Sequence, residues 1–148
     1  MAKVLLLGGT GAMGVYLIPE LINMGFDVFV TSRSARISDN NKLTYVKGNA
    51  LDDMFIEKEL EKEYDAIVDF MIYTTNEFRY RYKLLLDNTR HYLFLSTYRV
   101  FADSDLPIME SSPRILDVSD DSEYLSTDEY ALTKARQENI LRDVEYNN

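Results

Sequence analysis

A short apolar run, Val4-Leu5-Leu6-Leu7, meets Gly8-Gly9-Thr10-Gly11-Ala12-Met13-Gly14, and a helical pattern follows at once. Four of the six glycines of the protein fall inside those seven residues. A Gly-x-x-Gly-x-x-Gly spacing between a strand and a helix has definite physical causes. The chain must turn sharply, its backbone must come close to a pyrophosphate, and the helix must pack tightly on the strand. The helix N-terminus then offers free N–H groups and the positive end of its dipole to the phosphate. Gly14 is followed by Val15 and Tyr16, not by a lysine, which argues against a phosphoryl-transfer loop.

The rest of the pattern agrees with this opening. Val15, Leu17, Ile18, Leu21, Ile22 and Met24 repeat at helical spacing, with Pro19 inside the run and Gly25 where a C-terminal cap glycine belongs. Strands are expected over Phe26–Thr31 and Leu43–Val46, a charged helix over Asp52–Lys62, and a strand covered on both faces over Ala66–Ile72. A helix over Glu77–Asp87 and a fifth, buried strand over Tyr92–Leu95 follow. Residues 101–127 read as a long loop, above ordinary connection length and so functional or disordered. Ser126 and Glu129 have the spacing of a capping box for a last helix from about Asp128 to Val144. Strands alternating with helices predict an α/β fold, a doubly wound parallel sheet with helices on both faces.

Composition narrows the function. Sixteen Lys and Arg against 25 Asp and Glu leave a net charge of −9, which argues against a general nucleic-acid binder. No cysteine and one histidine exclude a disulfide scaffold, a Cys-ligated metal and a His-rich metal site. No apolar run reaches the roughly 18 residues of a membrane span, and the N-terminus lacks the layout of a signal peptide. The expectation is a globular, cytoplasmic domain with no membrane partner.

Two further places carry chemistry. The second strand ends Val30-Thr31-Ser32-Arg33 with Arg36 nearby, and no acid stands where a ribose 2′-hydroxyl would be held. A guanidinium there suits a 2′-phosphate, so NADP is expected over NAD. Tyr130 and Lys134 are four apart on one helix and share a face. An ammonium favours the phenolate, which makes the pair a proton-transfer device. Ser96 and Thr97 follow the fifth strand at its carboxyl end, where ligands of open α/β sheets bind, and either hydroxyl could hold a substrate oxygen.

These segments together resemble the extended and atypical short-chain dehydrogenase/reductases, the NAD-dependent epimerase/dehydratase group. The matching residues are Gly8 to Gly14, Asp65-Ala66-Ile67-Val68-Asp69, Ser96-Thr97 with Val100-Phe101, and Tyr130-Ala131-Leu132-Thr133-Lys134, so the likeness runs from about Lys3 to Leu141. The resemblance implies a Rossmann-type sheet and a dinucleotide site. Gly8 and Thr10 would shape the loop, and the backbone of Gly11, Ala12 and Met13 would hold the pyrophosphate. Ser32 and Arg33 would sit at the adenosine ribose, Asn49 and Ala50 beside the adenine, and Phe70 and Met71 along the wall by the cofactor. Tyr130 would be the general acid/base. Lys134 would bind the nicotinamide ribose and lower the Tyr130 pKa, and Thr97, or Ser96 beside it, would supply the third hydroxyl. The substrates implied are nucleotide sugars and related carbonyl or hydroxyl compounds.

The chain departs from the family pattern in places. Asn49 replaces the usual acid, Phe101 replaces a tyrosine, and Thr97 is followed by Tyr98-Arg99, without the acidic pair of the dehydratases. The bulky wall Asp69-Phe70-Met71-Ile72-Tyr73 leans toward the atypical branch. Family chains continue past the Tyr-Lys helix into a substrate-binding region, so this chain is expected to be the N-terminal part of a longer protein. Its open sheet edge would invite pairing with a second copy, a homodimer. Two other readings stand beside a reductase or epimerase: a non-catalytic dinucleotide-binding sensor or scaffold, and an RNA-binding atypical member. His91 reads as structural. In the cluster around Tyr80 and Tyr82, Phe78, Tyr82 and Leu85 are expected to pack, with Arg79, Arg81 and Lys83 facing water. Asp117, Asp120, Asp121 and Glu123 read as a solvated acidic loop.

Overall fold

The computed structural model describes residues 2–144. Five strands, β1 (Lys3–Leu7), β2 (Asp27–Ser32), β3 (Leu43–Lys47), β4 (Tyr64–Asp69) and β5 (Thr89–Phe94), form one parallel sheet in the order β3-β2-β1-β4-β5. The helices are α1 (Ala12–Asn23), α2 (Asp53–Leu60), α3 (Thr75–Asp87), two single turns α4 (Ile115–Val118) and α5 (Ser122–Leu125), and α6 (Tyr130–Arg142). The doubly wound α/β arrangement expected from the sequence is the one observed.

The chain divides into two compact units. The first, residues 2–72 and 83–95, holds the sheet with α1, α2 and the end of α3. Strand alternation sends Leu5, Leu7 and Ile67 to one face, against Ile56 and Leu60 of α2 and Leu85 of α3. Val4, Leu6, Val28, Val30 and Val68 point to the other, against Ile18 of α1. Each such side chain contributes about 1.5–3 kcal/mol by leaving water. Helix α1 runs unbroken through Pro19 and ends at Gly25, whose φ of +97° and the bonds Gly25 N–H to Ile22 O and Phe26 N–H to Leu21 O close it as the sequence suggests. The second unit, residues 73–82 and 96–144, carries the start of α3, a 3₁₀ turn over Tyr98–Val100, and α4 to α6.

Several expectations are corrected. Strand β5 is an edge, not a buried strand: its His91 and Leu93 are exposed, and beside them a groove of about 520 Å³ runs to Leu17 and Leu21 of α1. Strand β4 stops at Asp69, so Phe70–Ile72 lie beyond it. The Ser126–Glu129 capping box does not form. Ser126 closes α5, its hydroxyl donating to Glu123 O, and Glu129 is itself the N-cap of α6, accepting from Ala131 N–H at 2.6 Å. Residues 101–127 contain α4, α5 and a bridge between Phe101 and Arg114. Phe78 and Leu85 are buried as expected and Arg79 and Lys83 face water, but Arg81 is 4 % exposed, its guanidinium 5.4 Å from the centre of the Tyr73 ring. No helix among the described residues is long and apolar enough to cross a membrane, and those residues hold no cluster of His, Cys, Asp and Glu fit for a metal ion.

Candidate functional site

In the first unit the glycine loop is shaped almost wholly by its own packing. Gly8 has φ +71°, a left-handed conformation that favours glycine. Its N–H donates to Thr31 Oγ1 at 3.0 Å, and that hydroxyl in turn donates to Leu6 O, tying the ends of β1 and β2 together. A Cβ on Gly9 would lie 2.7 Å from Leu6 Cβ, and one on Gly14 would lie 1.8 Å from Gly9 O. Gly11 is different. It has an ordinary φ of −83°, and a Cβ there would meet nothing nearer than 3.9 Å.

Helix α1 starts above this loop with Gly11 as an N-cap that supplies no side-chain hydrogen bond and with no acid in the first turn. Its first N–H groups, from Ala12 on, have no partner within the helix. Gly11, Ala12 and Met13 are exposed. An uncapped positive helix end at the carboxyl edge of a parallel sheet suits an anion.

At the end of β2, Ser32 is 5 % exposed and its hydroxyl donates to Ser34 O at 2.8 Å, so it turns inward. Arg33 is exposed, and Arg36 lies 5.9 Å from the centre of the Tyr45 ring. Asn49 is exposed and its Oδ1 accepts from Leu51 N–H, while Ala50 is buried in the core. Beyond β4, Phe70 N–H donates to Leu7 O at 3.0 Å, and Met71 Sδ lies against Gly8.

In the second unit, Tyr130 is the first residue of α6, half-buried, and Lys134 one turn on is 3 % exposed. The Arg99 guanidinium lies 5.7 Å from the centre of the Tyr130 ring and donates to Glu129 Oε1 at 2.8 Å. Thr97 begins the 3₁₀ turn, its Oγ1 accepting from Arg99 N–H, so Arg99 links Thr97 to Tyr130. Tyr124 donates to Glu129 Oε2 at 3.2 Å; burial and that carboxylate hold its phenol above the ordinary tyrosine value. A cleft of about 360 Å³ is lined here by Arg99, Phe101, Tyr124 and Ala131 among others.

Ser96 belongs to another cluster. Its hydroxyl donates to Glu138 Oε1 at 2.5 Å. Glu138 also accepts from Arg114, which reaches Asp117 and Asn139. The hydrogen bond to Asp117 is the main reason the Arg114 guanidinium sits above its ordinary value. Arg114 and Glu138 belong to no motif and leave no signal in the sequence, whereas Arg99 stands between Thr97 and the valine of the strand-end motif, and Glu129, read as half of a capping box, directly precedes Tyr130.

Solved structures with this fold are numerous. A UDP-Glc/GlcNAc 4-epimerase from Campylobacter jejuni aligns with a TM-score of 0.75 at 18% identity, covering 97% of this chain and 49% of that one. A Bifidobacterium longum UDP-glucose 4-epimerase, solved with NAD+ and UDP, gives 0.72 at 22% identity, covering 96% and 48%. A dTDP-glucose 4,6-dehydratase from Bacillus anthracis, in complex with NAD, gives 0.65 at 16% identity, covering 95% and 49%. At such identities the likeness is one of fold, and the chain spans about half the length of these proteins. A comparison with curated protein sequences yields no match. The sequence itself settles the kinship: the family model described as NAD dependent epimerase/dehydratase matches residues 4–147, and the chain belongs to that family.

Proposed function

We propose that this chain is the dinucleotide-binding part of a reductase or epimerase acting on a hydroxyl or carbonyl carbon of a nucleotide sugar. The observation that carries the reading is Gly11. Gly8, Gly9 and Gly14 are each required by backbone conformation or packing, whereas at Gly11 no steric contact among the described residues calls for a glycine, and only the milder preference of an N-cap favours it over alanine. A Cβ there would touch only Gly8 O, at 3.9 Å, beside the start of α1, which has no side-chain cap and is where a pyrophosphate needs close backbone approach. The residues present therefore fit the group.

The backbone of Gly11, Ala12 and Met13 would hold the pyrophosphate, with Gly8 and Thr10 shaping the turn. Asn49 would meet the adenine through its exposed carboxamide, and Ala50 only through its backbone. Phe70 and Met71 would wall the nicotinamide half. A bound nicotinamide dinucleotide supplies the hydride acceptor and donor. Tyr130 would move the accompanying proton at its phenolic oxygen, Thr97 would hold the substrate oxygen, and Lys134 would bind the nicotinamide ribose. Ser96, engaged with Glu138, has a structural role.

Replacing Gly11 with alanine is the direct test. The melting temperature should fall by no more than about 2–4 °C, the cost of alanine at an N-cap where the methyl has room, while binding of NADH and NADPH, followed by nicotinamide fluorescence, is lost. Binding that survives in the variant would sink the assignment of the loop.

The cofactor is NADP in preference to NAD, on the support of the exposed Arg33 at the end of β2 and the absence of an acid there. A charge-assisted hydrogen bond is worth about 1.5–3 kcal/mol, so Arg33→Ala should weaken NADPH by roughly tenfold or more and leave NADH unchanged. Tighter binding of NADH than NADPH by the wild type reverses this preference.

A further inference from the structure

Asp69 is a buried acid to which the proposed function gives no part. It ends β4 and is 1 % exposed. A carboxylate so buried is costly unless hydrogen bonds satisfy it. Its Oδ1 accepts from the backbone N–H of Met71 at 2.9 Å, and its Oδ2 accepts from the phenol of Tyr92, on the neighbouring strand β5, at 2.8 Å. The first bond bends the chain just past the strand, as an Asx turn does. The second anchors the carboxylate to the sheet, because the Tyr92 ring packs in the core under β4.

The bend has a target. Phe70 N–H is held by Leu7 O, and Met71 then lays its side chain on the first glycine of the loop, with Sδ 2.8 Å from where a Gly8 Cβ would be. The order β3-β2-β1-β4-β5 reverses direction between β1 and β4. A dinucleotide straddles such a point, with its adenosine over β2 and its second nucleotide over β4. Met71 therefore stands on the second nucleotide's side, at a place set by Asp69.

We propose that Asp69, braced by Tyr92, is a positioning residue for the nicotinamide-bearing half of the cofactor, acting through the place of Met71 against the glycine loop; this rests on the dinucleotide reading above. The adenosine half, served by β2 and the start of α1, is independent of it. The two halves can be probed separately, because ADP carries the adenosine and pyrophosphate and lacks the nicotinamide nucleotide.

The test uses the whole chain with Asp69→Asn, which keeps the shape of the side chain, and Tyr92→Phe, which keeps the ring in the core. ADP should bind both variants as it binds the wild type. NADH should bind about tenfold more weakly, the scale of one lost charge-assisted hydrogen bond, and the emission of bound NADH should shift toward that of the free cofactor. Equal weakening of ADP and NADH would show a merely structural role and overturn the proposal, as would an unchanged NADH affinity and spectrum. Should Asp69→Asn fail to fold, Tyr92→Phe alone decides between the same outcomes. A wild-type chain that binds neither ligand overturns the dinucleotide reading, and this proposal with it. A wild type that binds both, with variants that do not separate them, overturns the proposal alone.

Discussion

Alanine at Gly14 is expected to lower the melting temperature of this chain by roughly 6–12 °C. The added carbon would stand 1.8 Å from the Gly9 oxygen, 2.5 Å from its carbonyl carbon and 2.8 Å from its Cα. All three are backbone atoms, so no side chain can swing away. Gly9 has little room to retreat, being buried, with the space where its own Cβ would stand filled by Leu6 and Val30. Overpacking costs about 1–3 kcal/mol where neighbours can adjust, and here the cost lies at the top of that range. For a chain of this size, about 2–4 °C of melting temperature is lost per kcal/mol, which gives the figure above. Gly11→Ala is the control, since its methyl would meet nothing nearer than 3.9 Å and only the preference of the N-cap is lost, about 1 kcal/mol or less. Thermal melts of the two variants beside the wild type decide the matter. A Gly14→Ala variant that melts with the wild type would mean that the first turn of α1 does not pack on Gly9 as described.

Those two glycines also show what a sequence can and cannot reveal. The spacing of the loop is legible because turn, helix start and close packing each demand a small residue at a fixed offset. Which glycine serves the fold and which serves a ligand is not legible, because a missing side chain looks the same in both cases. The strands are readable from their apolar runs, yet β5 reads as buried when it is an edge. Tyr92-Leu93-Phe94-Leu95 is apolar throughout, and only the sheet order shows that Leu93 is left half-exposed. The capping box fails for a local reason: α5 takes Ser126 as its own end, so Glu129 caps α6 alone. Arg81 has the look of a surface charge, and its burial on Tyr73 depends on how the chain turns into α3. Gly48 carries no motif, although a Cβ there would enter the Phe55 ring at 2.1 Å. Asp69 is legible only as part of a family motif, since its partners, the Met71 backbone and Tyr92, meet it through a turn and a strand register that no spacing encodes.

Removal of one oxygen, Tyr130→Phe, is expected to reduce turnover of a nucleotide sugar by roughly 10²- to 10⁴-fold, the contribution of a positioned acid/base. The variant keeps what the ring does for the fold. A phenylalanine still starts α6, still offers its face to the Arg99 guanidinium 5.7 Å away, and leaves the backbone carbonyl that accepts from Thr133 Oγ1 in place. Melting temperature and NADH affinity should therefore match the wild type, which separates a chemical role from a structural one. The assay is hydride transfer followed through the nicotinamide absorbance, in the longest natural form of the protein, because the solved epimerases that share this fold are about twice the length of this chain. Wild-type turnover in Tyr130→Phe would remove Tyr130 from the chemistry and leave the non-catalytic dinucleotide-binding reading as the better account of the same loop.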